Sequence, residues 1–159
     1  MSIRTKRIAL RFLLFALFGL LLEVFLASAI GFWKGDLTPR GHTSVWMVFD
    51  YGLLGVLLMP MARPLIRRGV PLPARAFLYM LAIYAVEYLS GALFTSLGMQ
   101  VWNNHWCRWN IHDHIALDFA PVWYALGLAS EFLYRKFDAM ALIAVKGLTA
   151  EDVERMSAE

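Results

Sequence analysis

Four long apolar stretches dominate this chain of 159 residues. A transmembrane helix needs about 20 predominantly apolar residues, and a segment inside lipid must satisfy its backbone hydrogen bonds internally. The sequence therefore predicts an all-α integral membrane bundle of four transmembrane helices within residues 1–137. Residues 138–159 are predicted to be a short cytoplasmic tail, with a surface helix that Thr149 caps. The predicted spans cover about residues 8–32, 44–61, 74–97 and 115–134.

The composition excludes an ordinary soluble domain. Apolar residues make up 60% of the chain and charged residues 17%, whereas a typical soluble domain is about 45–50% apolar. One core of this size could not bury so much apolar surface, but a bilayer can cover it. The single cysteine, Cys107, also excludes an intrachain disulfide.

The basic residues predict the orientation of the spans. Of the fifteen lysines and arginines, only Lys34, Arg40 and Arg108 lie in the two connections predicted to be outside. Because positive residues mark the cytoplasmic side, both termini are predicted to be cytoplasmic. We expect a multi-pass protein of the cell membrane, the inner membrane in a bacterium. The basic residues would meet anionic lipid headgroups, and no nucleic-acid partner is indicated.

One carboxylate per predicted span lies inside an apolar run: Glu23, Asp50, Glu87 and Asp118. An acidic group at the centre of a membrane helix costs roughly 2.5–3.5 kcal/mol on insertion scales. Counting along the helices at about 1.5 Å per residue places all four in the outer half of the bilayer. We therefore expect them to line one polar pocket that a proton or a cation neutralises. The alternative is that they hydrogen-bond tyrosines and hold the helices in register.

The same pattern suggests an internal repeat of two parallel helical hairpins. Spans one and three each carry a glutamate, and spans two and four each carry an aspartate followed by an aromatic residue. Such parallel repeats occur in transporters, although chance similarity between apolar helices is common.

The second outer loop contains three of the four histidines and the only cysteine. These residue types bind zinc and related metals, but their spacing fits no standard pattern, so metal content and cofactors stay open. General-base chemistry by a histidine such as His105, or contact with headgroups, is equally compatible. No phosphate-binding loop of the Walker type occurs, so this chain is not expected to bind ATP that way. The outer-loop candidates are His42, Trp46, Trp106, Trp109, Asn110, His112 and His114.

Four segments together resemble the CmpB-type ABC-transporter permease family of bacteria and its vertebrate transmembrane protein 229 relatives. They read FGLLLEVF, GHTSVWMVFDYGLLG, YAVEYLSGALF and IALDFAPVW, and the resemblance covers about residues 11–137. It implies a four-helix membrane protein whose activity is poorly defined. The chain departs from the family where Trp106–Asn110 replaces a Trp-Asp-Tyr-Ser loop, and where Asp50 replaces an apolar residue.

These observations favour a permease-like binding or translocation module for a cation, a proton or a polar lipid headgroup. The alternatives are an intramembrane enzyme acting on a lipid or isoprenoid, or a non-catalytic assembly factor. Four helices alone enclose only a narrow translocation pathway, so a homodimer or a partner membrane protein is expected. Membrane lipids are the other expected partners. In an ABC assembly, a separate ATPase would bind the basic connection between residues 63 and 75.

Overall fold

The computed structural model describes residues 1–158, and over this range the chain is largely helical. A two-stranded antiparallel hairpin pairs Asn110 with Ala116 and Ile111 with Ile115. A short 3-10 helix, Leu117–Phe119, follows it. The elements are α1 (Ile3–Trp33), α2 (Met47–Arg67), α3 (Leu72–Ser96), β1 (Asn110–Ile111), β2 (Ile115–Ala116), α4 (Ala120–Lys146) and α5 (Ala150–Ala158).

Three helices, α1, α2 and α3, are long and apolar enough to cross a membrane. The fourth predicted span was partly wrong, because residues 115–119 form strand β2 and the 3-10 helix instead of a membrane helix. Helix α4 begins only at Ala120, with Pro121 in its first turn, where a missing N–H costs nothing. It also contains Glu131, Arg135 and Lys136, which lower its hydropathy.

Local chemistry sets the other helix ends. Ser2 caps α1 by accepting the N–H of Thr5 at 3.2 Å. Helix α2 contains Pro60 and Pro64 and continues past residue 61, the predicted end of the span, to Arg67. Helix α4 crosses residue 138, where the sequence predicts the tail to begin, and runs on to Lys146; it ends at Gly147, which has a φ of +70°.

Helix α5 lies within the segment that the sequence predicts as the C-terminal tail. The hydroxyl of Thr149 accepts the N–H of Asp152 at 3.2 Å, and Asp152 accepts the N–H of Thr149 at 2.9 Å. This reciprocal pair is a capping box. These bonds lower the pKa of Asp152.

The helices pack as two antiparallel hairpins, α1 with α2 and α3 with α4, and α1 also packs against α4. Small residues permit the close approach within each hairpin. A Cβ on Gly55 would lie 2.9 Å from the carbonyl oxygen of Arg11, and one on Gly127 would lie 2.6 Å from that of Ala76. Helices α2 and α3 touch only sparsely, which leaves a gap between the hairpins.

The polar and apolar surfaces are inverted relative to a soluble protein. Large apolar side chains such as Leu17, Leu21 and Phe25 of α1 are exposed, whereas Arg11, Asp50 and Glu131 are buried. An exposed apolar surface of this extent is what lipid tails would cover. The inverted pattern agrees with a membrane environment.

Candidate functional site

Three of the predicted pocket carboxylates meet around one tyrosine. Tyr51 of α2 lines two adjoining cavities, one together with Glu23 of α1 and Glu87 of α3, and the other together with Asp50 of α2 and Glu87. The site lies towards the loop end of the bundle, the end formed by residues 34–46 and 97–119. Three helices therefore each contribute one acidic group to the same region.

Glu23 is held by two hydroxyl donors. The Thr43 hydroxyl donates to Glu23 Oε2 at 2.6 Å, and the Tyr51 hydroxyl donates to the same oxygen at 3.1 Å. Two glycines make this geometry possible. Gly19, one turn before Glu23, lies so close to the Tyr51 ring that a Cβ would collide with it, and Gly41 packs directly on α1 beside Thr43.

Asp50 is the least satisfied of the three. Its side chain is only 7% exposed, and Oδ2 is buried with no hydrogen-bond partner in the described part of the chain. Ser90 lies nearby, but its hydroxyl donates to the carbonyl of Val86 at 2.8 Å. A buried carboxyl oxygen without a partner costs free energy, so this position is not explained by helix packing alone.

Glu87 lies between two cavities. It interacts electrostatically with Asp50 and Glu23 and lies beside the indole of Trp123. The first cavity, called the vestibule here, has a volume of about 710 Å³ and opens among the loops; Glu23, Glu87 and Arg40 are in its wall. The second, called the chamber, has a volume of about 360 Å³ and lies between α2, α3 and α4, with Asp50 and Glu87 in its wall.

The fourth predicted pocket residue, Asp118, is not part of this site. It lies in the 3-10 helix and is exposed, and its Oδ2 accepts the backbone N–H of Trp109 at 2.9 Å. Because the chain forms a hairpin before α4 begins, Asp118 lies in the loop and stabilises it through this hydrogen bond, and it does not enter the bundle. The prediction that all four carboxylates converge was therefore wrong for this residue.

The histidines of the second loop have structural contacts. His112 and Asp113 form the hairpin turn with positive φ values of 50° and 59°. His112 Nδ1 lies 2.9 Å from the Tyr88 hydroxyl, and the His114 ring packs on Gly91. Within the described residues, His42 is the one histidine in the vestibule wall. His105 lies in the same loop, outside both cavity walls.

The remaining loop candidates take part in packing. The Asn110 amide donates to the carbonyl oxygen of Cys107 at 3.1 Å. Trp46 stacks near Phe49 at a centroid distance of 6.2 Å. Trp106 lines the vestibule, with the Lys34 ammonium 4.6 Å from its ring centroid. Trp109 is exposed.

Metal binding gains no support from this loop. Burial raises the pKa of the Cys107 thiol, with a further contribution from Asp118 and a smaller opposing one from Lys34. A thiol with a raised pKa stays protonated at neutral pH and is a poor metal ligand. Over residues 1–158, no group of three His, Cys, Asp or Glu side chains has a geometry that could hold a metal ion.

A second set of charged residues, at the opposite end of the bundle, was missed by the sequence analysis. Glu131 of α4 accepts from Arg75 Nε at 2.7 Å and Nη2 at 3.0 Å, and from the Tyr79 hydroxyl at 2.7 Å. Asp138 accepts from Arg11 at 2.6 Å and also from Arg7. The signal was present, because Glu131 lies inside the fourth predicted span and Arg11 inside the first.

Comparison with known proteins identifies one family. The family model described as "Putative ABC-transporter type IV" matches residues 10–149. The match includes all three convergent carboxylates and the charged residues Arg11, Arg75, Glu131 and Asp138. No solved structure gives a significant match to the chain.

Proposed function

Because this chain belongs to the family described as "Putative ABC-transporter type IV", we propose that it is a permease-like membrane module that binds or translocates a cation, a proton or a polar lipid headgroup. The observation that carries the proposal is that Glu23, Asp50 and Glu87, from three helices, line two adjoining cavities that share Tyr51 and Glu87. The adjoining vestibule gives a ligand access to this region from the loop end.

The charge balance of the site supports a bound cation or proton. Within residues 1–158, no lysine or arginine forms an ion pair with these three carboxylates; the arginines that do pair, Arg7, Arg11 and Arg75, lie at the opposite end. Carboxylates that line the same adjoining cavities disfavour one another's charged form unless a counter-charge is present. The counter-charge would come from the ligand or from bound protons.

We place four spans across the membrane, with α4 as the fourth and both termini in the cytoplasm. Helix α4 has 27 residues, or about 40 Å at 1.5 Å per residue, which exceeds the roughly 30 Å hydrocarbon core. Its charged residues Glu131 and Asp138 pair with Arg75 and Arg11, so they do not face lipid alone. The basic connection at residues 63–75 would then be cytoplasmic, where a separate ATPase could bind.

The two hairpins support a parallel repeat, but with a different correspondence from the one expected. In each hairpin, the glutamate of the first helix lies beside an aromatic residue of the second, Tyr51 or Trp123. Asp118 is not the counterpart of Asp50 in this arrangement. In the first helix of each hairpin, an arginine precedes the glutamate by twelve residues, as Arg11 precedes Glu23 and Arg75 precedes Glu87. In the second helix, a glycine follows the aromatic residue by four, as Gly55 follows Tyr51 and Gly127 follows Trp123.

Native mass spectrometry of the protein, extracted gently with its endogenous lipid, tests the proposal. We expect a stoichiometric ligand or ion that is lost in Glu23→Gln and Glu87→Gln but retained in Asp118→Asn. The control removes the same kind of charge outside both cavities. Equal retention of the ligand in all variants would overturn the proposal. It would also be overturned if the unsubstituted protein retained no ligand and liposomes containing it had the same proton and cation flux as empty liposomes.

A further inference from the structure

The vestibule and the chamber share one wall. Met47, Tyr51, Glu87 and Trp123 line both cavities. A molecule at Glu87 can therefore extend into either space. The two spaces differ in chemistry, since the vestibule contains Glu23, His42 and several loop polar groups.

The chamber is apolar except at one end. Its wall includes Leu54, Leu57 and Met61 of α2 and Ile83 of α3, with Asp50 and Glu87 as its acidic residues. From Asp50 to Met61 the α2 wall spans roughly 16 Å at 1.5 Å per residue. Its volume of about 360 Å³ is far larger than the roughly 10–15 Å³ of cavity volume that one water needs. A bare ion or a proton would leave this apolar space unused.

The acidic end of the chamber lacks a partner of its own. Asp50 Oδ2 is buried without a hydrogen bond in the described residues, and the neighbouring Glu87 adds a second carboxyl group to the same wall. An ammonium donates up to three hydrogen bonds and carries the opposite charge. A cationic head joined to an aliphatic chain would complement both ends of the chamber at once.

We propose that the ligand is a cationic amphiphile, whose ammonium group lies between Asp50 and Glu87 and whose single aliphatic chain fills the chamber. This inference rests on the proposed function and adds the ligand class. Neither group alone explains the chamber, because the chain needs its apolar wall and the ammonium needs the carboxyl groups at its end. In the proposed topology, the head faces the outer side and the chain points towards the bilayer centre, as in an outer-leaflet lipid.

Photolabelling of the full chain in phosphatidylcholine nanodiscs tests this inference. The probe is hexadecylamine with a diazirine near the middle of its chain, and adducts are mapped by peptide mass spectrometry. We expect adducts on Leu57, Met61 and Ile83, competed by hexadecylamine but not by hexadecanol or hexadecanoate. Adducts confined to lipid-facing residues such as Leu17 and Phe25, or equal competition by the alcohol, would overturn it.

Two variants separate binding from folding. Asp50→Asn keeps the side-chain volume and should weaken competition by hexadecylamine at least about tenfold, the effect of losing one charged hydrogen bond, whereas Asp118→Asn should not. Ala82→Phe narrows the chamber with every carboxylate in place, and should abolish labelling without changing the elution volume or circular dichroism. Labelling that survives Ala82→Phe in a folded protein refutes the chamber as the binding site of the aliphatic chain.

One result separates this inference from the proposed function. If Glu87→Gln still releases an endogenous ligand while hexadecylamine does not label the chamber, the cationic amphiphile is the wrong ligand class and the proposed function stands.

Discussion

Replacing Glu131 by glutamine should weaken the association of the α3–α4 hairpin strongly. Glu131 is 6% exposed and accepts hydrogen bonds from both Nε and Nη2 of Arg75 and from the Tyr79 hydroxyl. Glutamine keeps one acceptor oxygen but presents an NH₂ group to a donor in place of the other. The Arg75 charge then loses its counter-charge while its side chain remains only 14% exposed.

The magnitude follows from the burial of both partners. Removing one partner of a buried ion pair typically costs about 3–5 kcal/mol, because the other charge is left uncompensated. Since glutamine retains part of the hydrogen bonding, we expect about 3 kcal/mol, which is roughly a hundredfold in the unfolding equilibrium constant. A double variant, Arg75→Met with Glu131→Leu, should recover most of this loss because it removes both charges.

The free energy of unfolding can be measured by titrating the protein with sodium dodecyl sulfate in mixed micelles, followed by tryptophan fluorescence. Glu151→Gln is the matched control, since Glu151 lies exposed on α5 and the same exchange there should stay within about 0.5 kcal/mol. A loss below about 0.5 kcal/mol in Glu131→Gln, equal to the control, would refute the argument that this ion pair stabilises the hairpin.

Three further outcomes are expected. Gly127→Ala should destabilise the protein by about 1–3 kcal/mol in the same titration, because its Cβ would lie 2.6 Å from the Ala76 carbonyl oxygen; an unchanged midpoint would contradict this close contact. Asp50→Leu should stabilise it by about 1–3 kcal/mol, since it removes an unsatisfied buried group, and a destabilised variant would show that Asp50 supports the fold. For the topology, Leu37→Cys in a Cys107→Ser background should react with an impermeant maleimide on intact cells, whereas Arg68→Cys should react only after permeabilisation. The reverse pattern would invert the proposed orientation.

The length and apolarity of the first three stretches were sufficient to predict α1, α2 and α3. The start of α4 could not be predicted in this way, because the apolar residues Ile115 and Ala116 are compatible with a short strand as well as with a helix. Their pairing with β1 and the Trp109–Asp118 hydrogen bond decide the local structure. These contacts depend on the tertiary position of the loop, which hydropathy does not encode.

The candidate site was predictable to the extent that the carboxylates lay on helices. Glu23, Asp50 and Glu87 were found because an acidic residue in an apolar helix is costly and must face the interior. The partners of Glu23 could not be inferred, because Thr43 comes from the loop that Gly41 packs onto α1. The Asp138 ion pairs were missed because the predicted span ended at residue 134, before the helix does.

The contrast between the two ends of the bundle gives the strongest reason to consider the loop end functional. At the opposite end, the two carboxylates of α4 each have an arginine, as Glu131 has Arg75 and Asp138 has Arg11. At the loop end, Asp50 is as deeply buried as Glu131 and has no such partner in the described residues. If the carboxylates served only to join helices, the Arg–carboxylate arrangement already present at one end would serve at both. An unpaired acidic group that opens onto a cavity instead leaves its counter-charge to come from outside the chain, which is the condition for a binding site.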